Sequence, residues 1–282
     1  MTLSGLLTLI RPLNSAMVGF AVIVGMVVSG FPKMSYLSAL LGFLTGFLIS
    51  SYSMIINDKY DIEVDRVNNP TRPLVKGSVS IKEAELAAAT LLASGLATSI
   101  LLGWLTLSIA AVFALIAWLY NYRVKKYGLL GNTLVSASVA IPYIYGAVAI
   151  GAADEPLIYF LALTSFLAGL GREVVKTICD VKGDEIRDVR SVARVWGAKT
   201  AAKVSSIFFI SAILTSLLPL MLRIVGLVYG VLVSAPICIF IALTIKILKD
   251  SSAESAYLVK RVALLGMLLG LIAFMVGGYF RW

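Results

Sequence analysis

Ala39-Leu-Leu-Gly-Phe-Leu-Thr-Gly-Phe-Leu-Ile-Ser-Ser-Tyr-Ser-Met-Ile-Ile56 runs without one charged residue and ends in Asn57-Asp58-Lys59-Tyr60-Asp61-Ile62-Glu63-Val64-Asp65. The apolar part is about as long as a helix needs to be to cross a bilayer, roughly 20 residues. Windows 13–30 and 224–245 read the same way. Over the whole chain 60% of residues are hydrophobic and 14% charged, with a mean hydropathy of +0.95. A soluble domain of 282 residues could not hide that much apolar surface. In lipid every backbone N–H and C=O must be paired within the segment, so the spans are helices. The fold class expected is an all-α integral membrane protein.

Nine spans are expected, at 13–30, 36–56, 84–102, 104–120, 132–151, 157–175, 201–219, 224–245 and 262–280. Only Gly103 separates the third from the fourth. With the N-terminus inside, all but Lys33, Arg223 and Arg281 of the 24 basic residues fall on the inner side. The formal charge of +9 therefore reads as topology and not as a nucleic-acid surface. The N-terminus and both acidic runs are expected in the cytoplasm, the C-terminus outside. The first residues, meeting Arg11-Pro12, carry no cleavable-signal pattern. Cys179 and Cys238 imply no disulfide framework. Absence of His removes His-ligated haem, His-containing zinc sites and His-based triads, and the lack of Gln hints at a heat-adapted source.

The second acidic run is Asp180-Val181-Lys182-Gly183-Asp184-Glu185-Ile186-Arg187-Asp188. Asn57, Asp61 and Asp65 are spaced by four, as are Asp180, Asp184 and Asp188. Residues four apart on a helix stack on one face, about 6 Å from one to the next. Each run is thus a ridge of oxygen donors. Carboxylates at that density repel unless a cation neutralises them, and hard oxygen donors suit Mg²⁺ carrying a substrate phosphate. Asp58 and Glu63 turn off the first ridge, which leaves Asp58 to touch either the second face of the site or a basic neighbour. The two ridges map onto each other with an offset of 123 residues, each followed by a basic stretch and then Gly77 or Gly197. One domain over 1–282, built from two similar halves, is the expected organisation.

Arg72, Lys125, Lys126, Arg172 and Lys176 all fall on the cytoplasmic side. Arg grips phosphate oxygens through parallel hydrogen bonds and Lys acts as a point charge. Positive-inside topology demands basic residues here in any case, so each has a second explanation. The same holds for Arg11 and Asn14 at the mouth of the first span, and for Tyr120 and Tyr122, since tyrosine also anchors helices at the interface.

The pattern NDxxDxxxD at 57–65 is followed by Asn69-Pro-Thr-Arg-Pro-Leu74, and DxxxD stands at 180–184. With Arg11-Pro12-Leu13-Asn14 and Tyr120–Lys125, they resemble the UbiA-type membrane prenyltransferase superfamily over essentially the whole chain. Within it the chain looks most like the archaeal digeranylgeranylglyceryl phosphate synthases, through 10–14 and Gly171-Arg172-Glu173-Val174-Val175-Lys176. Where that group carries acidic residues near 177 and 179, this chain has Thr177 and Cys179. The resemblance implies about nine transmembrane helices around a central cavity open to the cytoplasm and the membrane. It implies Mg²⁺ on Asn57, Asp61, Asp180 and Asp184, with Asp61, Asp65 and Asp184 at the catalytic centre. An isoprenyl diphosphate donor would meet Arg72, Lys125 and Lys126. A lipid-like acceptor taken from the membrane would meet Arg11, Asn14, Tyr120, Arg172 or Lys176. No nucleic-acid partner is expected.

The implied reaction is Mg²⁺-dependent transfer of a geranylgeranyl group to the free hydroxyl of geranylgeranylglyceryl phosphate, forming an ether. Two alternatives stand beside it at this point. One is prenylation of an aromatic acceptor, as in quinone synthesis. The other is a cation transporter with intramembrane carboxylates.

Overall fold

The computed structural model describes residues 3–186 and 188–280; the side chains of Leu3, Val67 and Asn68 are outside that description. Arg187 and Arg281, counted above among the basic residues, lie outside it too. Among the described residues there is no strand. The chain forms α1 (Leu3–Ile10), α2 (Pro12–Gly30), α3 (Tyr36–Tyr60), α4 (Ile62–Asn68), α5 (Pro73–Lys76) and α6 (Ile81–Ile100). There follow α7 (Trp104–Tyr122), α8 (Leu129–Ala149), α9 (Pro156–Ile186), α10 (Val192–Met221), α11 (Leu227–Lys249) and α12 (Ala253–Tyr279).

Among the described residues, 8 helices can cross a membrane by length and composition: α2, α3, α7, α8, α9, α10, α11 and α12. The helix matching the expected span at 84–102 is α6. Its first turns carry Lys82, Glu83 and Glu85, and a Ser80–Glu83 capping box starts it. Gly103, with φ 133°, does separate α6 from α7. With 31 residues α9 is roughly 46 Å long, well beyond a hydrocarbon core of about 30 Å.

The chain divides into two compact units. The first comprises Met1–Met26, Pro32–Val124 and Tyr145–Ala153. In it α3 packs on α6 and α7, α1 lies against α3 and α5, and α4 bridges α3 and α5. Leu9, Ile49, Ile55, Val79, Ala84, Ala88 and Ala114 form its core. Small residues let the backbones close up, as helix contacts in lipid require. A Cβ on Gly146 would stand 2.1 Å from the Val22 carbonyl oxygen, so α8 meets α2 there only because the residue is glycine. Beside it Tyr145 Oη pairs with Ser99 Oγ at 2.8 Å.

The second unit comprises Val27–Phe31, Lys125–Ile144 and Asp154–Trp282. Here α9 packs on α10 and α12, and α11 packs on the same two helices. Phe209 and Phe240 meet at 5.2 Å in a core with Val174, Val175, Ala201 and Ala263. Tyr229, fully buried, donates its hydroxyl to the Ser216 carbonyl at 2.7 Å and ties α11 to α10. Between these helices lies a mostly apolar cleft, lined among others by Leu161, Phe240, Met267 and Phe274.

Candidate functional site

The first acidic run lies in the first unit. Asn57 and Asp58 are in the last turn of α3, and Asp61 is the junction to α4, with φ −97° and ψ 6°. The expectation of one helix running on through Asp65 is corrected to this extent: the helix is interrupted at Asp61. The four-residue pairing survives the interruption. Asp61 N–H donates to the Asn57 carbonyl at 3.0 Å, and Asp65 N–H to the Asp61 carbonyl at 2.7 Å.

Asp58 turns inward and is only 2% exposed. One of its oxygens accepts from Arg11 Nη2 at 2.5 Å, and both accept from Arg72 Nη1, at 2.6 and 2.7 Å. Arg11 reaches it from the break between α1 and α2, where its φ is 45°. Arg72 comes from the residue before the first turn of α5, whose Pro73 is pre-set for that position. Asp65, also buried, accepts from Asn69 Nδ2 at 3.2 Å and lies 4.0 Å from Arg72 Nε. Two carboxylates and two guanidiniums thus balance in charge, which is what makes their burial tolerable.

Asn57 is half-buried and faces α7. Its Nδ2 donates to Asn121 Oδ1 at 2.8 Å, and Asn121 Nδ2 donates to the Ala117 carbonyl at 2.8 Å. Next to this pair Trp118 stacks on Tyr122 at 5.1 Å, and Tyr122 meets the edge of Tyr60 at 6.2 Å. Tyr120 is half-buried on the same helix end, and Asn14 is exposed in the first turn of α2.

The second run lies in the second unit. Asp180 and Asp184 sit half-buried on α9, four residues apart. The helix ends at Ile186, so the expected third member, Asp188, does not continue the ridge. It takes a left-handed φ of 49°, is exposed, and pairs with Arg194 at 3.2 Å. Glu185 is exposed, and a Cβ on Gly183 would meet only open space.

Seven residues before Asp180 on α9, about two turns back, Glu173 is 8% exposed between two cations. Arg172 Nη1 donates to its Oε1 at 2.7 Å, and Lys176 Nζ to its Oε2 at 3.3 Å. Arg172 Nε also donates to the Lys260 carbonyl on α12 at 3.2 Å, which fixes the guanidinium. Lys125 is half-buried and Lys126 exposed in the single 3-10 turn Val124–Lys126. The Lys126 carbonyl accepts from Arg190 N–H at 3.0 Å, and Gly128 fits below it with φ 49°.

Within each unit, and among the described residues, no three Asp, Glu or Cys side chains form a preassembled metal cluster. The residues expected to hold Mg²⁺, Asn57 and Asp61 in the first unit and Asp180 and Asp184 in the second, each offer oxygen donors, the chemistry a hard divalent cation takes. Sequence reading passed over Glu173 and Asn121. A carboxylate inside an apolar helix was the available signal for the first; the second, one amide in an aromatic run, had none.

The UbiA prenyltransferase family model matches residues 18–272. A digeranylgeranylglyceryl phosphate synthase from Archaeoglobus fulgidus is 36% identical over 276 residues, covering 96% of this chain and 94% of the relative. A solved structure described as digeranylgeranylglyceryl phosphate synthase in membranes superposes with a TM-score of 0.88 at 33% identity, covering 98% of each chain. A UbiA homolog from Archaeoglobus fulgidus bound to GPP and Mg²⁺ has a TM-score of 0.74 at 19% identity, covering 96% of this chain and 99% of its own, and is similar in fold.

Proposed function

Because the chain belongs to the UbiA prenyltransferase family, we propose that it transfers a geranylgeranyl group from geranylgeranyl diphosphate to the free hydroxyl of geranylgeranylglyceryl phosphate. The observation that carries this reading is the near full-length match, at 36% identity, to a relative of that name. The transporter alternative falls with the family membership.

The metal-binding residues are Asn57 and Asp61 on the α3–α4 junction and Asp180 and Asp184 on α9. Mg²⁺ held there would supply the positive charge that a departing diphosphate needs. Lys125, Lys126 and Arg72 add fixed charge on the diphosphate oxygens, where charge develops as the allylic C1–O bond breaks. Asp61 and Asp184 touch the reacting centre. Asp65 acts there through Arg72, which it and Asp58 keep from swinging away. The acceptor hydroxyl oxygen then bonds to C1, its proton leaves to diphosphate, water or a carboxylate, and diphosphate is released. A bundle in lipid keeps the allylic cation from water and admits long apolar chains from the membrane.

The acceptor's phosphate is assigned to Arg172 and Lys176, held by Glu173, with Arg11, Asn14 and Tyr120 as further contacts. The active site and N-terminus face the cytoplasm and the C-terminus the outside, following the basic-residue bias. The chain is read as one domain in two related halves, offset by 123 residues.

Purified protein in detergent, given radiolabelled geranylgeranyl diphosphate and Mg²⁺, tests the acceptor. Geranylgeranylglyceryl phosphate is expected to be prenylated at its free hydroxyl and the dephosphorylated alcohol far more slowly. 4-Hydroxybenzoate should give no product. Efficient prenylation of the aromatic acid, with none of the glycerol phosphate, would move the protein to quinone synthesis and leave the metal and donor assignments standing.

A further inference from the structure

We infer that Asn121 is a positioning residue that sets which way the Asn57 amide faces, and so presents Asn57 Oδ1 as a metal ligand. The inference rests on Asn57 being such a ligand. An amide, unlike a carboxylate, has one oxygen, and turning it over replaces a ligand with an N–H₂ that repels a cation. Something must therefore hold Asn57 the right way round.

The hydrogen bonds do this in sequence. The Ala117 carbonyl can only accept, so Asn121 must offer it Nδ2, which lies 2.8 Å away. Asn121 then has only Oδ1 left on its other branch. That oxygen can only accept, so Asn57 must offer it Nδ2, also at 2.8 Å. Both of these choices are forced, and they leave Asn57 Oδ1 on the branch away from α7. Turning either amide would set two acceptors or two donors against each other.

The surroundings favour a dedicated device. Asn121 is 9% exposed, so water does not substitute for its partners. The Trp118–Tyr122 stack and the Tyr122–Tyr60 edge contact hold the end of α7 against the last turn of α3. The amide pair is thus kept in register from both helices.

Mn²⁺ alone is the probe, titrated into the purified full-length protein and followed by loss of the free-ion electron paramagnetic resonance signal. Asn121→Leu keeps the bulk and removes the acceptor. Affinity should fall roughly tenfold or more, the usual effect of losing a partner that orients a metal ligand. Asn121→Gln keeps an amide that can both donate to the Ala117 carbonyl and accept from Asn57 Nδ2, and should hold affinity within about threefold, which also covers the case in which the leucine variant does not fold.

The decisive comparison is made in an Asn57→Asp background. A carboxylate has no wrong side, so Asn121→Leu should there cost almost nothing in affinity. An equal loss in both backgrounds would make Asn121 a packing residue and overturn the inference. So would unchanged affinity in Asn121→Leu while Asn57→Ala binds weakly, an outcome that leaves the metal reading intact. Unchanged Mn²⁺ binding in both Asn57→Ala and Asp61→Asn would instead remove the metal reading itself.

Discussion

Asp58 is buried between Arg11 and Arg72, whereas Asp61, three residues on, is the one proposed above to hold the metal. They part because the helix turns Asp58 inward to Arg11 and Arg72. Asp58→Ala leaves two guanidiniums around an empty position. We expect a loss of about 3–5 kcal/mol, the cost of breaking a buried ion pair from one side, read as a lower midpoint of thermal unfolding in detergent. Asp61→Asn and Asp184→Asn should instead leave that midpoint near its original value and lower turnover by about 10²-fold or more, because each removes charge from the metal site. Full turnover in excess EDTA would rule out the metal role. For the donor, Arg72→Ala, Lys125→Ala and Lys126→Ala should each weaken geranylgeranyl diphosphate binding by ~1.5–3 kcal/mol, the range for charge-assisted hydrogen bonds. Unchanged donor affinity in all three would return these residues to a purely topological role. The spacing of the acidic residues was legible in the sequence. That Asp58 would have two arginine partners was not, since Arg11 and Arg72 reach it from separate segments of the chain.

At the scale of elements, the turns hold the acidic helix ends in place. Gly77 and Gly197, matched across the two acidic runs in the sequence, both adopt left-handed backbones, with φ 75° and 82°. Gly128 is more constrained than either. A Cβ there would stand 1.9 Å from the Arg190 carbonyl oxygen, at a φ of 49°. Gly128→Ala should cost about 1–2 kcal/mol from the backbone conformation alone, and more from the clash. Faster proteolysis between Lys125 and Arg190, compared with the parent, would report it; unchanged proteolysis would mean the turn gives way freely. The turn from α11 to α12 is held differently. Asp250 accepts from Ser255 Oγ and from Ser252 N–H and Oγ, and these bonds hold its carboxyl below the ordinary value of 3.8. The stabilisation is fully present above that ordinary value and is lost as pH falls through the lower folded-state value. Amide exchange at residues 252–255 should therefore quicken, relative to its intrinsic rate, only below about pH 4. Asp250→Asn should abolish that pH dependence, and a variant that keeps it would assign the effect elsewhere.

For the molecule as a whole, the apolar helices make it a multi-pass membrane protein, and the basic residues make its orientation a prediction. With Lys33, Arg223 and Arg281 alone on the outer side, the bias is strong. A tag at the N-terminus should be cleaved by protease only in inside-out vesicles, and one at the C-terminus only in right-side-out vesicles. Both tags cleaved on one side would require an even number of spans. The charged start of α6, which separates the eight strongly apolar helices from the nine expected, makes that measurement informative.

Composition and the charge-free runs were enough to establish helices in a membrane, because lipid leaves the backbone no other way to satisfy its polar groups. Four-residue spacing was enough to mark two donor ridges, because it is a property of one helix and needs no partner. How those runs continue was settled by local backbone conformation: the interruption at Asp61, which the four-residue pairing survives, and the left-handed Asp188 that leaves the second run with two members. Which polar groups meet could be read only in three dimensions. Asp58 between Arg11 and Arg72, and Asn57 against Asn121, join residues 47, 14 and 64 positions apart. No periodicity encodes such contacts; they exist because packing of α3 against α7, and of α1 and α5 beside them, brings these side chains together.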